Sequence, residues 1–262
     1  MNKQKFKYIF GPVYSWRLGI SLGIDPISKN EKICSFNCTY CQLGRTNKLT
    51  TKRKIFVPTD EILKELNSLP DLKFDYITFS GRGEPTLAKN LGELIKKIKS
   101  YKNFKIAVIT NSTLLHKNDV INDLLLSDFV IAKLEVNSNE LLKKINRPTK
   151  NITLKKIIEG IKKFKSVYKN KLAIQIMFIE ENKKYAEEIA VIVKEIKPDE
   201  VQIDTPLRKC PVKPLSKIEL EKIKKFFSNM NVISVYDIPK KEIKPIDENA
   251  TLIRHGKNQK NI

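Results

Sequence analysis

Residues 34–41 read CSFNCTYC, so Cys34, Cys38 and Cys41 fall within eight positions of a chain that has only four cysteines in 262 residues. Spacings of four and then three put the sulfurs on one side of a single helical turn, from which they can converge on one centre. Thiolates are soft ligands that select zinc, Cu(I) or iron–sulfur clusters, and the ligand count decides among these. A closed zinc site or a fully ligated cubane needs four ligands. The remaining thiol, Cys210, stands far along the chain, and His116 and His255 have no ligand-like spacing. Three thiolates alone leave one iron of a [4Fe–4S] cluster open, which is what chemistry at a metal requires.

The elements that must position this loop follow from periodicity. Short β-branched runs alternate with stretches of 3.6-residue period, the pattern of βαβ units around a parallel sheet. ISLGID (20–25) leads into the cysteine loop, and PTDEILKELNSL (58–69) reads as a helix capped by Thr59. DYITFSG (75–81), KIAVITN (105–111), FVIAKLEV (129–136), LAIQIMFIE (172–180) and EVQIDTP (200–206) are the next five strands, each followed by helical pattern, and NVISVYDI is one further strand. Six units without a linker predict one α/β domain over 1–238, a partial (β/α)6 TIM-like barrel with ligands at the carboxyl ends of its strands. Residues 239–262 read as a C-terminal extension or polar, poorly ordered tail.

Composition sets the wider limits. At 41% hydrophobic and 30% charged residues the chain can bury a core, which excludes a disordered protein. No run nears the apolar length of a membrane span, and the start MNKQKFKYIF meets Gly-Pro before a signal region develops, so a cytoplasmic protein without membrane partners is expected. Crowded thiols in that reducing compartment point to metal rather than disulfides. The formal charge of +21 suits a polyanion such as RNA, although many lysines alternate with apolar residues, as in LKKIIEGIKKFK, and suit an ordinary solvated helix face.

CxxxCxxC with Tyr40 before the last cysteine, following the first strand of a β/α series, resembles the signature of the radical S-adenosylmethionine (SAM) superfamily. SGRGEPTL at the end of the second strand is similar to that family's GGEP motif, with Arg82 where a glycine is usual. The resemblance implies a [4Fe–4S] cluster held by Cys34, Cys38 and Cys41, and SAM chelating the open iron. It places Gly81, Gly83 and Glu84 at the methionine amino group, and Asn111, Gln175 and Tyr40 around SAM. Glu135 belongs to the same set, on one strand face with Lys133; a structural ion pair between the two is the alternative. Met177 is either an adenine contact or core packing, and Cys210, in LRKCPVKP beside Arg208 and Lys209, is a weak catalytic candidate or a loop cysteine without a role. The opening GPVYSWRLGISLGIDP resembles the group related to wyosine-type tRNA synthases, with Tyr14 and Trp16 in place of its Pro and Arg and without cysteines for a second cluster.

The implied activity is reductive cleavage of SAM to a 5′-deoxyadenosyl radical that abstracts hydrogen from a substrate, with a ferredoxin- or flavodoxin-type reductant as partner. tRNA or another anionic substrate is one expectation. An activase or modifier of a protein or peptide is the second. The third, from a different class, is a zinc- or cluster-bearing nucleic-acid-binding protein without catalysis.

Overall fold

Strands that are apolar on both faces need cover on both sides, and here helices supply one layer while the strands' own inner side chains supply the other. The computed structural model describes residues 6–101, 103–239 and 241–256. In chain order the elements are β1 (Ile9–Ser15), β2 (Gly19–Ile24), β3 (Ile33–Cys34), β4 (Lys48–Leu49), α1 (Thr59–Asn67), β5 (Tyr76–Phe79), α2 (Leu91–Tyr101), β6 (Ile106–Thr110) and α3 (Asn118–Leu124). These are followed by β7 (Phe129–Lys133), α4 (Asn139–Ile145), α5 (Leu154–Val167), β8 (Lys171–Met177), α6 (Ala186–Ile196), β9 (Glu200–Asp204), α7 (Lys217–Lys224), β10 (Val232–Ser234) and α8 (Glu248–His255). Among the described residues one sheet runs β1-β2-β5-β6-β7-β8-β9-β10, parallel from β2 onward, while β3 and β4 form a separate parallel pair. The sheet curls into the expected partial barrel without its ends pairing.

Alternation along each strand divides the core. One set of side chains, including Ile77, Val108, Val130 and Ile174, packs outward with Leu94, Ile98, Ile161 and Val193 of the helices. The inward set begins as an apolar floor of Leu18, Ala107, Phe129, Ile131 and Ala173, with Tyr76 and Ile109 against it. Two residues further along the same face the side chains turn polar, at Thr78, Lys133, Gln175 and Asp204, and there the interior opens as a cavity. The floor closes one end of the barrel, so the opening lies at the carboxyl ends of the strands.

Two local expectations fail and one strand was not expected at all. β1 was not legible as a strand because Gly11-Pro12 interrupts it; the hairpin absorbs the interruption through a register shift between Phe10 and Val13. Thr59 does not cap α1: Pro58 holds that position, and the Thr59 hydroxyl accepts instead from Asn90 Nδ2 at 3.0 Å. The segment read as a polar tail is a helix over 248–255, capped by Asp247, which accepts from Ala250 N at 2.8 Å. Its Ala250 packs with Phe6 and Phe10, and Arg254 is buried. Residues 240 and 257–262 of that segment lie outside the described residues. No described helix is long and apolar enough to cross a membrane.

Candidate functional site

The cysteine loop leaves β3 and is fastened at both ends. Asn37 N donates to Asn146 O and Thr39 N to Ile145 O, both at 2.9 Å, which docks the loop on the end of α4. Cys41 N donates to Cys38 O at 3.2 Å, closing the turn that the spacing required. Cys34, Cys38 and Cys41 are all free and line one cavity of about 220 Å³. Each sulfur accepts from its own nitrogen donor: Cys34 from Asn111 Nδ2 at 3.5 Å, Cys38 from Asn146 Nδ2 at 3.5 Å and Cys41 from Lys32 Nζ at 2.8 Å. Burial pushes the Cys34 thiol up to about 11 and the Cys38 thiol up to about 12.

The donor set fits a cluster with one open iron. Three thiols face one cavity, yet among the described residues no three His, Cys, Asp or Glu side chains are grouped as a single metal ion would need. Cys210 is not on the cavity wall; its Sγ donates to Val212 O at 3.2 Å in the loop beyond β9. Burial raises its thiol as well.

Gly81, Gly83 and Glu84 line the same cavity as the thiols, and residues 81–84 form a close backbone cradle there. Gly81 has φ of +121°, and a Cβ there would lie 2.6 Å from Asp25 Cγ. At Gly83 a Cβ would lie 2.0 Å from Ile33 O, so the cradle and the start of the cysteine loop are in backbone contact. Glu84 is 2% exposed. Its Oε1 accepts from Thr86 N, Thr86 Oγ1 and Thr110 Oγ1 at 3.1, 2.7 and 2.6 Å, and its Oε2 from Asn111 N at 2.7 Å. The carboxyl thus ties the end of β5 to the end of β6, leaving acceptor capacity on Oε2. Burial raises its pKa against the pull of these hydrogen bonds.

Of the remaining sequence candidates, Tyr40, Asn111, Gln175 and Met177 line the cavity. Asn111 also donates to Ser35 Oγ at 2.8 Å, holding the cysteine loop. Glu135 does not share a strand face with Lys133, because the chain leaves the sheet after Lys133. Glu135 stands behind the cavity wall, accepting from the Tyr40 hydroxyl and from Asn146 Nδ2 at 2.8 Å. Lys133 faces the cavity and lies over the Tyr40 ring at 5.4 Å. The alternative reading, an ion pair between the two, gives way to these separate contacts.

Two residues that sequence reasoning did not place in the site, Arg17 and Asp204, also reach it, as does Arg208. Arg17, at the turn between β1 and β2, pairs with Asp204 at the end of β9 across 3.1 Å. Gln175 Nε2 donates to the same Asp204 oxygen at 2.6 Å, and Arg208 donates to the backbone oxygen of His255. The available signal was QIDTP: an acidic residue on the carboxyl end of a barrel strand, followed closely by LRK.

Comparison with known proteins gives three findings. Residues 32–192 match the family described as the radical SAM superfamily. A UPF0026 protein of Synechocystis sp. is 43% identical over 213 residues, covering 79% of this chain and 78% of that one, and a UPF0026 protein of Methanocaldococcus jannaschii is 38% identical over 232 residues, covering 86% and 71%. The chain is also 40% identical over 260 residues to a Brachyspira hyodysenteriae protein named GTPase Obg, of which it spans 38% of the length. Among solved structures, Streptococcus suis SuiB bound to precursor peptide SuiA has a TM-score of 0.62 at 17% identity, covering 81% of this chain and 48% of that one. Archaeal TYW1 has a TM-score of 0.55 at 18% identity, covering 80% and 72%. At these identities the structural likeness concerns the fold.

Proposed function

Because this chain belongs to the radical SAM superfamily and stands among the UPF0026 proteins, we propose the following division of labour in an enzyme that uses a [4Fe–4S] cluster and SAM. Cys34, Cys38 and Cys41 hold the cluster. The Gly81–Glu84 cradle takes the methionine end of SAM, and Asn111, Gln175 and Tyr40 line the rest of its path. When bound, the cluster and SAM supply a 5′-deoxyadenosyl radical able to take hydrogen from an unreactive carbon. The chain's own residues then have three tasks. Asn111, Asn146 and Lys32 steady the sulfurs, the apolar floor under the cavity shuts out water and stray hydrogen donors, and Glu135 fixes the Tyr40 ring from behind. Residues 1–238 form the catalytic domain in this reading and 239–262 its extension, with a ferredoxin- or flavodoxin-type protein as reductant.

The observation that carries the reading is the convergence of three free thiols and a glycine cradle on one cavity with no fourth thiol on its wall. Anaerobic reconstitution, followed by incubation with SAM and dithionite, is expected to release 5′-deoxyadenosine. No release above that of a Cys38→Ala control overturns it. For the substrate we propose an anionic molecule, with tRNA suited by the charge of +21. Binding to bulk tRNA is expected to weaken steeply as salt rises, and salt-independent or absent binding removes tRNA from consideration.

A further inference from the structure

The cysteine loop is continued by a stretch of one-sided charge. No Asp or Glu stands between Glu31 and Asp60, while Lys32, Arg45, Lys48, Lys52, Arg53 and Lys54 all fall there. Two of these cations have tasks inside the protein. Lys32 lies 2.8 Å from Cys41 Sγ, and Arg53, whose side chain is 6% exposed, pairs with Asp119 at 2.6 Å and with Asp123. The others, Arg45, Lys48, Lys52 and Lys54, are exposed, make no ion pair among the described residues and do not line the cavity. Lys54 has only the Phe56 ring beneath it, at 5.0 Å.

Backbone contacts hold this stretch against the thiol ligands. β4 pairs with β3 so that Leu49 stands opposite Cys34, and Thr50 N donates to Cys34 O at 3.0 Å. Thr46 N donates to Asn37 Oδ1 at 2.9 Å and its hydroxyl to Phe36 O at 2.7 Å. At the far end Lys89 N donates to Lys54 O at 3.0 Å and brings a further exposed cation alongside. Thr149 N donates to Ser35 O at 2.9 Å, which adds the exposed Arg147 and Lys150 from another segment. Both faces of β4 are exposed, with Leu49 at 43% and Ile55 at 57%, whereas Phe56 is 5% exposed. Aliphatic side chains among charged ones have the anatomy of a protein-binding face, an apolar centre with a polar rim. Base stacking asks for exposed aromatic rings, and residues 45–55 have none.

We propose that residues 45–55 form the docking face for a small acidic one-electron carrier protein, which reduces the cluster from beside Cys34. This rests on the reading of Cys34, Cys38 and Cys41 as cluster ligands. The step moves one electron and no atoms: the carrier is oxidised by one electron and the cluster is reduced by one. Electron transfer weakens steeply with distance, so a productive encounter must bring the carrier's redox group close to a ligand. The exposed segment that includes β4 is one hydrogen bond from Cys34. A carboxylate-rich partner is steered to the unpaired lysines and arginines, while Leu49 and Ile55 supply the apolar contact. Since the exposed cations of this stretch lie off the cavity wall, carrier and substrate use separate surfaces.

The test is calorimetric titration of the cluster-reconstituted protein with an acidic ferredoxin and, separately, with an acidic flavodoxin. At least one is expected to bind, more weakly as ionic strength rises, with the dissociation constant about tenfold higher in the double variant Lys48→Glu, Lys52→Glu. Leu49→Ser is expected to weaken binding about threefold and leave its salt dependence as it was. Oxidation of the pre-reduced carrier, followed by stopped-flow absorbance, is expected to slow in step. Cluster content is read from visible absorbance, and if the first pair of variants loses cluster, Lys54→Glu with Lys89→Glu carries the test. Tighter binding of one carrier assigns an iron–sulfur or a flavin donor. The proposal is overturned if neither carrier binds, or if binding and oxidation rate are indifferent to the charge reversals. It is also overturned if the reversals abolish binding of bulk tRNA and leave the carrier untouched, since the face then serves RNA. Release of 5′-deoxyadenosine with dithionite, which needs no docking, is read in parallel. Its absence in the wild type sinks the enzyme reading, whereas its presence with a carrier indifferent to this face sinks only the docking proposal.

Discussion

The sulfurs of Cys34, Cys38 and Cys41 each accept from a side-chain nitrogen, and these three donors differ in kind: two amides and an ammonium. The cation beside Cys41 favours the more negative, reduced state of a cluster, since hydrogen bonds and charge around the sulfurs set its potential. Lys32→Met is therefore expected to make the midpoint potential more negative by roughly 60 mV, equivalent to about a tenfold change for one electron. An anaerobic redox titration followed by electron paramagnetic resonance checks it, and an unchanged potential refutes the assignment. The thiols themselves were legible in the sequence because their convergence depends on local spacing alone. Their donors were not. Asn146 and Cys38 are 108 positions apart, and nothing in KKINRPT signals that its asparagine lies against a sulfur.

Between elements, the decisive contacts are made by backbone. A methyl group at Gly83 meets the carbonyl of Ile33 in β3, so Gly83→Ala must push the glycine cradle away from the cysteine loop. Overpacking of this kind costs about 1–3 kcal/mol. The expected result is SAM affinity reduced by roughly tenfold or more in equilibrium binding, with the fold retained by circular dichroism. Undiminished affinity would separate the cradle from the cofactor. α7 offers a second case. Ser216 and Glu219 form a capping box, and Lys183 lies 2.8 Å from Glu219; together these bring the Glu219 carboxyl down to about 2. A depressed carboxyl contributes stability above its unfolded value near 4.5 and loses it as pH falls toward 2. Glu219→Gln is expected to melt about 1–3 °C below wild type at neutral pH, a small gap because the pair is solvent-exposed. Scans at descending pH should show the gap closing below pH 4.5, and a gap independent of pH contradicts the account. The parallel strands were legible because β-branched runs between amphipathic helices admit few other arrangements. β1 and α8 were not, since one carries Gly-Pro and the other is short and polar and packs on Phe6 and Phe10 from the far end of the chain.

At the scale of the molecule, the two ends of the described chain are sewn together over the site. Ile246 N donates to Gly11 O at 2.7 Å and Gly11 N to Thr251 Oγ1 at 2.9 Å. Arg254 donates to Ser28 Oγ at 2.7 Å and pairs with Asp25, which is 1% exposed. Asp25 also accepts from Arg82 N at 3.1 Å, so α8 is connected to the glycine cradle through one carboxylate. Arg254→Ala strips that carboxylate of its countercharge and is expected to cost about 3 kcal/mol, or roughly 6–12 °C in thermal melting. A shift of only a degree or two would mean that Asp25 is neutral in the fold, consistent with burial raising its pKa. The role of α8 was hidden from sequence reading because its partners, Lys7, Asp25 and Ser28, lie at the other end of the chain.

The ends of the sheet do not pair, and this has a mechanical consequence. A closed barrel has its radius set by a continuous hoop of backbone hydrogen bonds, which stretches very little. Here no such hoop exists among the described strands. Near its two ends, Arg17 beside β2 and Asp204 on β9 reach across the interior and pair at 3.1 Å. Between those ends the span is therefore held by one side-chain pair rather than by a rung of backbone hydrogen bonds.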